Sequence, residues 1–356
     1  MSKITAAPRT SVASSTQGRE SRTPRFMLVA LLIVFILLFI VSFSLGRFIV
    51  PPSTVIDMLW STATGHPTPN SVTKTVLLEV RLPRIVAASL IGAALATAGA
   101  TFQGLFRNPM VSPDILGATS GAGFGAALGI LMSFSLLGVS TLAFAIGVCA
   151  VLLSYSISLV ISRGDDAVLM LVLTGMAVYN LFLAFISLIK YVADPDNKLP
   201  AITFWLMGGL ASITLKNLAM IVPPLVIGWI PILALRWRLN VLSFGEEEAQ
   251  ALGVNTQRLR WIFIICATLL TAASVAVSGI IAWVGLVIPH VARRFVGPNF
   301  SYLIPASMLC GASFLLIADD VARTVTAQEI PLGILTSLIG GPFFILLLIR
   351  GRKGTR

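Results

Sequence analysis

Apolar residues fall in long blocks separated by short polar segments, and block length sets the first expectation for the fold. The blocks cover residues 26–45 and then approximately 85–105, 115–133, 138–161, 167–189, 217–235, 262–292, 302–320 and 331–349. A helix of about 20 residues crosses the ~30 Å hydrocarbon layer of a bilayer, so these blocks predict membrane-spanning helices. The first block is longer than the roughly 7 to 15 residues of a signal-peptide core and reads as a span, not a cleaved leader. The block from Ile262 to Ala292 holds 31 residues, too many for one ordinary span and too few for two full ones. Gly279, Gly285 and Pro289 offer places to break it.

Charge decides how that block is counted. Taken as one span, it gives nine helices and divides the 25 Lys and Arg residues 12 inside to 13 outside. Taken as a full helix and a short returning one, it gives ten helices and a division of 17 to 8, with Arg236, Arg238, Arg258, Arg260, Arg293 and Arg294 all inside. The excess of positive charge in cytoplasmic loops favours ten. Both chain ends are then cytosolic, and Trp237 and Trp261 lie at the inner boundary with Trp60 and Trp205 near the outer one, as interfacial aromatic belts require. The expected fold is an all-α membrane protein of about ten transmembrane helices, including one short eighth helix. Residues 1–25 form a disordered cytosolic tail, 26–350 the helical domain with a cytosolic loop at 236–261, and 351–356 a second tail.

Composition agrees with this class. Apolar residues make up 56% of the chain and charged residues 11%, against roughly 25% charged in soluble domains. The net charge of +11 is spread between apolar blocks instead of forming one basic face with interleaved aromatics, so nucleic acid is not an expected partner. Cys149, Cys266 and Cys310 lie within apolar blocks without metal-ligand spacing, and His66 and His290 lack carboxylate or histidine neighbours, so neither a metal centre nor a catalytic site is expected. Gly and Ala crowd residues 92–100 and 117–129, where small residues let spans approach closely.

The polar segments carry the candidate chemistry. Between two blocks stands EEEAQALG, Glu246 to Gly253, a short acidic helix with Ser243 three residues ahead in a capping-box spacing and Gly253 as its stop. A helix this short is marginal alone, so it calls for a surface to pack against. Carriers driven by ion gradients hold ionisable groups inside the membrane. Of the 14 acids only Asp319 and Asp320 approach a span, with Arg323 four residues beyond Asp319 as a helical ion-pair partner. No G-x-x-x-x-G-K-[ST] loop occurs, so the chain has no P-loop with which to hydrolyse ATP. Energy then comes from a separate ATPase, and the Glu246 helix is the natural lever. At the other membrane face, Arg81 and Arg84 in RLPR, with Arg323, either anchor to headgroups or receive carboxylates of an external partner through their planar forks.

Taken with RLPR at 81–84, the strings QGLFRNPMVSPDILG at 103–117, FWLMGGL at 204–210, EEAQALGV at 247–254, WVGLVIPHVARR at 283–294, ADDVAR at 318–323 and EIPLGILTSLIGGPFF at 329–344 occur together and in order. In this combination the chain resembles the permease family of type II ABC importers for iron-siderophore complexes, haem and vitamin B12, over about residues 26–353. The resemblance implies a homodimer in a bacterial or archaeal cytoplasmic (inner) membrane, two cytosolic ABC ATPase subunits that bind ATP and Mg, and one external or periplasmic substrate-binding protein. This subunit is expected to carry no cofactor. It also implies residue roles: Ser243, Glu246, Glu247, Glu248, Ala249, Leu252 and Gly253 couple to the ATPase, Arg81, Arg84 and Arg323 dock the binding protein, and Gln103 and Asn108 lie on the path or its gate. The small polar residues that form another gate in the family are not evident at Val168 and Leu169. An iron(III)-siderophore complex is the expected cargo. Vitamin B12, haem and molybdate are alternatives within the family, and an ion-coupled secondary transporter is the alternative from another class.

Overall fold

In the computed structural model, described over residues 23–46, 71–161 and 167–353 and at a few positions between 50 and 64, every apolar block becomes a helix. In chain order these are α1 (Thr23–Ser44), α2 (Leu82–Leu105), α3 (Ala118–Leu131), α4 (Leu136–Ile161), α5 (Ala167–Val192), the short α6 (Lys198–Leu206), α7 (Leu215–Phe244), the short α8 (Glu246–Ala251), α9 (Thr256–Ser278), α10 (Val284–Val296), α11 (Phe300–Thr324) and α12 (Leu332–Lys353). Apart from α6 and α8, that makes ten principal helices among the described residues. A π-helical turn at Thr75–Arg81 runs into α2 without a break. The expected tail at 1–22, and the charged residues Asp57, Arg163, Asp165 and Asp166, lie outside the described residues.

The ambiguous block divides as the charge count requires. α9 stops at Ser278, Gly279 turns at φ +67°, and the chain runs non-helically to Trp283 before α10 begins. Trp283 is itself left-handed at φ 71°, which lays its ring on Gly340 of α12 and 5.8 Å from Phe344. α10 has 13 residues, too few to span alone, and it is the short eighth of the ten helices.

Small residues explain which helix sits at the centre. Lipid tails are as apolar as leucine, so helices associate in a bilayer by close packing and hydrogen bonds and not by escape from water. α2 supplies Gly92, Ala96 and Gly99; the first lies directly against Gly311 of α11 and the last against Gly285 of α10, with no room for a Cβ at any of these glycines. In consequence 89% of the most apolar window of α2 is buried, against 11% for α1 at the periphery.

Contacts fix the direction of each helix. The start of α11 meets the end of α7 beside α8, whereas its end meets the starts of α2 and the end of α1. Two ends of the bundle follow: one carries α8, the opposite one carries α6. Near the α6 end the non-helical segment 207–209 is knitted to the end of α9 and the start of α12 by backbone hydrogen bonds, Gly209 N–H to Ser278 O at 2.8 Å, Leu332 N–H to Gly208 O at 2.9 Å and Gly333 N–H to Met207 O at 3.1 Å. Backbone that leaves helix within a membrane protein must find such partners, since no water is there to serve. Gly208 at φ +72° and Gly279 make the crossing possible, because each packs against the other segment's carbonyl.

Two boundaries differ from expectation. α7 runs to Phe244, past the apolar block that ends near 235, so the first third of the expected loop 236–261 is helix. Arg236 and Arg238 extend the helix because long basic side chains keep their heads in water while their stems cover apolar surface. α12 likewise reaches Lys353, taking in part of the expected C-terminal tail.

The ten-helix path puts the turn after α10 and the turn after α11 at opposite ends. In a variant lacking Cys149, Cys266 and Cys310, a cysteine replacing Ala327 is expected to react with an impermeant thiol reagent added outside intact cells, and one replacing Pro298 to be shielded. Labelling of both from the same side would contradict the path.

Candidate functional site

At the α8 end the acidic helix is held differently from the capping box expected. Ser243 belongs to the last turn of α7, where its hydroxyl donates to the Asn240 carbonyl at 2.6 Å. Gly245, at φ 142°, is the N-cap residue, and no side chain caps α8. The box fails because α7 continues through the position from which serine would have to reach forward. Ala249 pins α8 to the protein with no exposure, and Val254 N–H closes on the Ala249 carbonyl at 3.0 Å. Gly253, at φ +75°, ends the turn as expected. Glu247 and Glu248 are exposed, and Leu252 and Phe244 present apolar side chains at 67% and 72% exposure. Acid and exposed apolar surface on one projecting element suit a protein partner.

The end of α7 that carries α8 is tied to the bundle through Asn240. Its side-chain amide donates to Asn299 Oδ1 at 3.0 Å and its side-chain Oδ1 accepts from Phe300 N–H at 2.9 Å, so the first free N–H of α11 is satisfied from α7. The Phe300 ring lies against Gly104 of α2. Three helices therefore meet six residues before the start of α8.

At the opposite end the three arginines are not a free surface. Arg84 grips Asp319 with Nε at 2.9 Å to both carboxylate oxygens and Nη2 at 2.9 Å, and its Nη1 holds Glu329 at 2.9 and 3.0 Å. Arg323 pairs with Asp320, stands 3.7 Å from Asp319, and donates to the carbonyls of Ser42 at 2.7 Å and Leu45 at 2.8 Å. Arg81 donates to the carbonyl of Phe43. The guanidiniums thus satisfy carbonyls that the end of α1 leaves without helical partners. Ser42 donates to Asp320 at 2.6 Å and closes the cluster. Arg81, Arg84 and Arg323 are each under 9% exposed. Asp319 was legible as a partner of Arg323, but its principal partner is Arg84 from another helix. The roles of Asp320, Glu329 and Ser42 were not read; adjacent acids at a span end facing RLPR were the available signal.

Arg84 and Glu329 also line a cavity of about 350 Å³ beside the knitted segments, with Ser140, Asn217, Ser278 and Trp205 among its other walls. Gln103 is buried and bridges α2 to α10, donating to the Leu286 carbonyl at 3.2 Å and accepting from Arg293 at 3.2 Å. Asn108 is exposed at the α8 end, and its side chain accepts from Met110 N–H at 2.9 Å within its own loop. A further polar feature escaped the sequence reading. α5 buries Val178, Phe182 and Ile186, while its exposed side carries Asn180 in the middle of the span and Ser187 seven residues further on. An amide at that depth is costly against lipid and marks a face that meets protein or water.

A ten-helix bundle with an acidic helix at one end and an ion cluster at the other has the architecture of a polytopic membrane protein. Residues 31–350 match the FecCD transport family, and the chain belongs to that family. It is 41% identical over 330 residues to the molybdate import system permease protein MolB of Haemophilus influenzae, covering 92% of this chain and 96% of the relative. It is 38% identical over 339 residues to the hemin transport system permease protein HmuU of Yersinia pestis, covering 93% of this chain and 97% of that one. Among solved structures, a transporter described as of metal-chelate ABC type in an inward-facing conformation is 40% identical, with a TM-score of 0.82 over 92% of this chain and 99% of the other.

The burial of the cluster predicts unequal costs. Asp319→Ala leaves Arg84 buried with half its partners removed and is expected to destabilise the protein by about 3–5 kcal/mol. Glu329→Gln, at the cluster's partly exposed edge, is expected to cost no more than about 1 kcal/mol. Thermal unfolding in detergent compares them, and equal effects would contradict the description of the cluster.

Proposed function

We propose that the chain is the translocating subunit of an ATP-driven importer, working as a homodimer with two cytosolic ATPase subunits and an external binding protein, with an iron(III) chelate as cargo. The observation that carries this reading is α8, a six-residue helix fastened at Ala249 and exposing acids and Leu252, on a chain with no P-loop of its own. In this reading the α8 end faces the cytosol, as do both chain ends, and a groove on the ATPase receives Glu247, Glu248 and Leu252. Closure of the ATPases moves α8, and α7 passes the movement through Asn240 to α11. The path then switches between two accessible states, each favoured by a different nucleotide state of the partner. The dimer axis lies along the exposed face of α5, where Asn180 and Ser187 meet a wet path and not lipid.

The chelate assignment is supported by the likeness to the hemin permease and to the metal-chelate type transporter. A second reading, molybdate, is favoured by the Haemophilus relative, which matches across nearly its whole length. Cargo is selected mainly by the binding protein in this scheme, so mass spectrometry of the ligand retained by that protein separates the two. An iron chelate supports the first reading, and an oxyanion replaces it with the second.

The coupling role is tested by Gly253→Pro and by deletion of residues 246–253. Both variants are expected to reach the membrane, with uptake lost and ATP hydrolysis no longer responsive to cargo-loaded binding protein. Normal assembly with the ATPase together with normal uptake would remove α8 from the mechanism.

A further inference from the structure

The ion cluster at the α6 end poses a difficulty for docking that its own geometry resolves. Among the described residues it contains three guanidiniums, Arg81, Arg84 and Arg323, and three carboxylates, Asp319, Asp320 and Glu329. Such a cluster is balanced, and its donor without a hydrogen-bond partner, Arg323 Nε, is buried 3.7 Å from Asp319 and so closed to an approaching carboxylate. One member is held differently from the rest. Asp319 and Asp320 are fixed in α11, with side chains 0% and 11% exposed, and Asp319 takes the bidentate edge of Arg84. Glu329 lies beyond the helix end, after the exposed bend at 325–328, and its side chain is 35% exposed. Both of its oxygens rest on one nitrogen, Arg84 Nη1. That nitrogen could be taken by another carboxylate without disturbing the Asp319 contacts. The cavity beside Arg84 and Glu329 gives either carboxylate somewhere to go.

We propose that Glu329 is a displaceable internal stand-in for an acidic side chain of the external binding protein, occupying Arg84 Nη1 until that protein docks. This rests on the reading of the α6 end as the external docking face. Among the described residues the cluster is neutral with Glu329 in place. With Glu329 swung out, those residues carry one net positive charge and Arg84 Nη1 is open, which fits a surface Asp or Glu on a protein partner. Exchange of one carboxylate for another keeps Arg84 paired throughout, so docking need not expose an uncompensated buried charge. The loop after α11 leads directly to α12, whose first residues hydrogen-bond to the Gly208 segment, so displacement of Glu329 also reaches the knitted junction.

The experiment measures affinity between the purified external binding protein of the same transport system and the permease–ATPase complex in lipid nanodiscs, at low and at physiological salt. Glu329→Gln removes the competing charge and is expected to tighten binding about three- to tenfold at low salt, with a smaller gain as salt rises. Glu329→Asp keeps the charge and is expected to stay near the native affinity. Unchanged or weaker binding by Glu329→Gln, in a protein of native thermal stability, overturns the proposal. Arg84→Gln in the Glu329→Gln background tests the docking reading separately: no loss of affinity there removes the docking face itself, whereas a loss without any gain from Glu329→Gln keeps the docking face and removes the stand-in. Spin labels at Lys74 and Gln328 give a readout that leaves the cluster intact. Their separation is expected to change when the binding protein is added, and an unchanged distance overturns the displacement.

Discussion

Charge buried without water must be paired, and this constraint organises the α6 end of the bundle. The idealised cost of moving a carboxylate or guanidinium into a medium of low dielectric is of order 20 kcal/mol, and no single contact offsets it. Arg84 meets it by spreading its three guanidinium nitrogens over two carboxylates from α11 and the loop beyond. Arg323 meets it with Asp320, Ser42 and the last carbonyls of α1. One set of contacts therefore neutralises charge and closes a helix end. It also binds α1, which has little buried surface of its own, to the core.

The other end depends on neutral hydrogen bonds. Asn240 serves both Asn299 and the Phe300 amide, and Phe300 packs on the only part of α2 where a glycine leaves room for a ring. α11 is then a continuous 25-residue helix with one end fastened beside α8 and the other fastened in the ion cluster. A rod fixed at both ends can carry a displacement where a chain of flexible loops would absorb it. The two attachments are discrete: hydrogen bonds to Asn240 at one end and ion pairs with Arg84 and Arg323 at the other.

Much of the fold was legible because block length and charge side are strong constraints in a membrane. The division of residues 262–292 came from Arg293 and Arg294, and Gly279 marks the break. The limits of α7 and α12 were not legible from hydropathy, because Arg236, Arg238 and Arg350 sit on helix that continues after the apolar block ends. Ser243 misled for a related reason: a capping box is a local pattern, and the continuing helix α7 overrides it. Arg81, Arg84 and Arg323 were found as a group, but their burial was not. Pairing across helices 235 residues apart, as for Arg84 and Asp319, leaves no periodic trace. Asn180 on α5 was missed because one amide does not interrupt an apolar run, and its exposure is visible only once the buried face is known.

In the proposed mechanism the energy source lies outside this chain. Asp319, Asp320 and Glu329 are committed to arginines, and Asp114 is held by the hydroxyls of Ser112 and Thr119. Uptake into sealed vesicles tests the energy source most directly, using the permease with its ATPase and the external binding protein carrying the ligand it retains on purification. Uptake is expected to require ATP on the side bearing α8 and to continue when an ionophore has collapsed every ion gradient. Uptake that proceeds without ATP and stops with the ionophore would contradict the account.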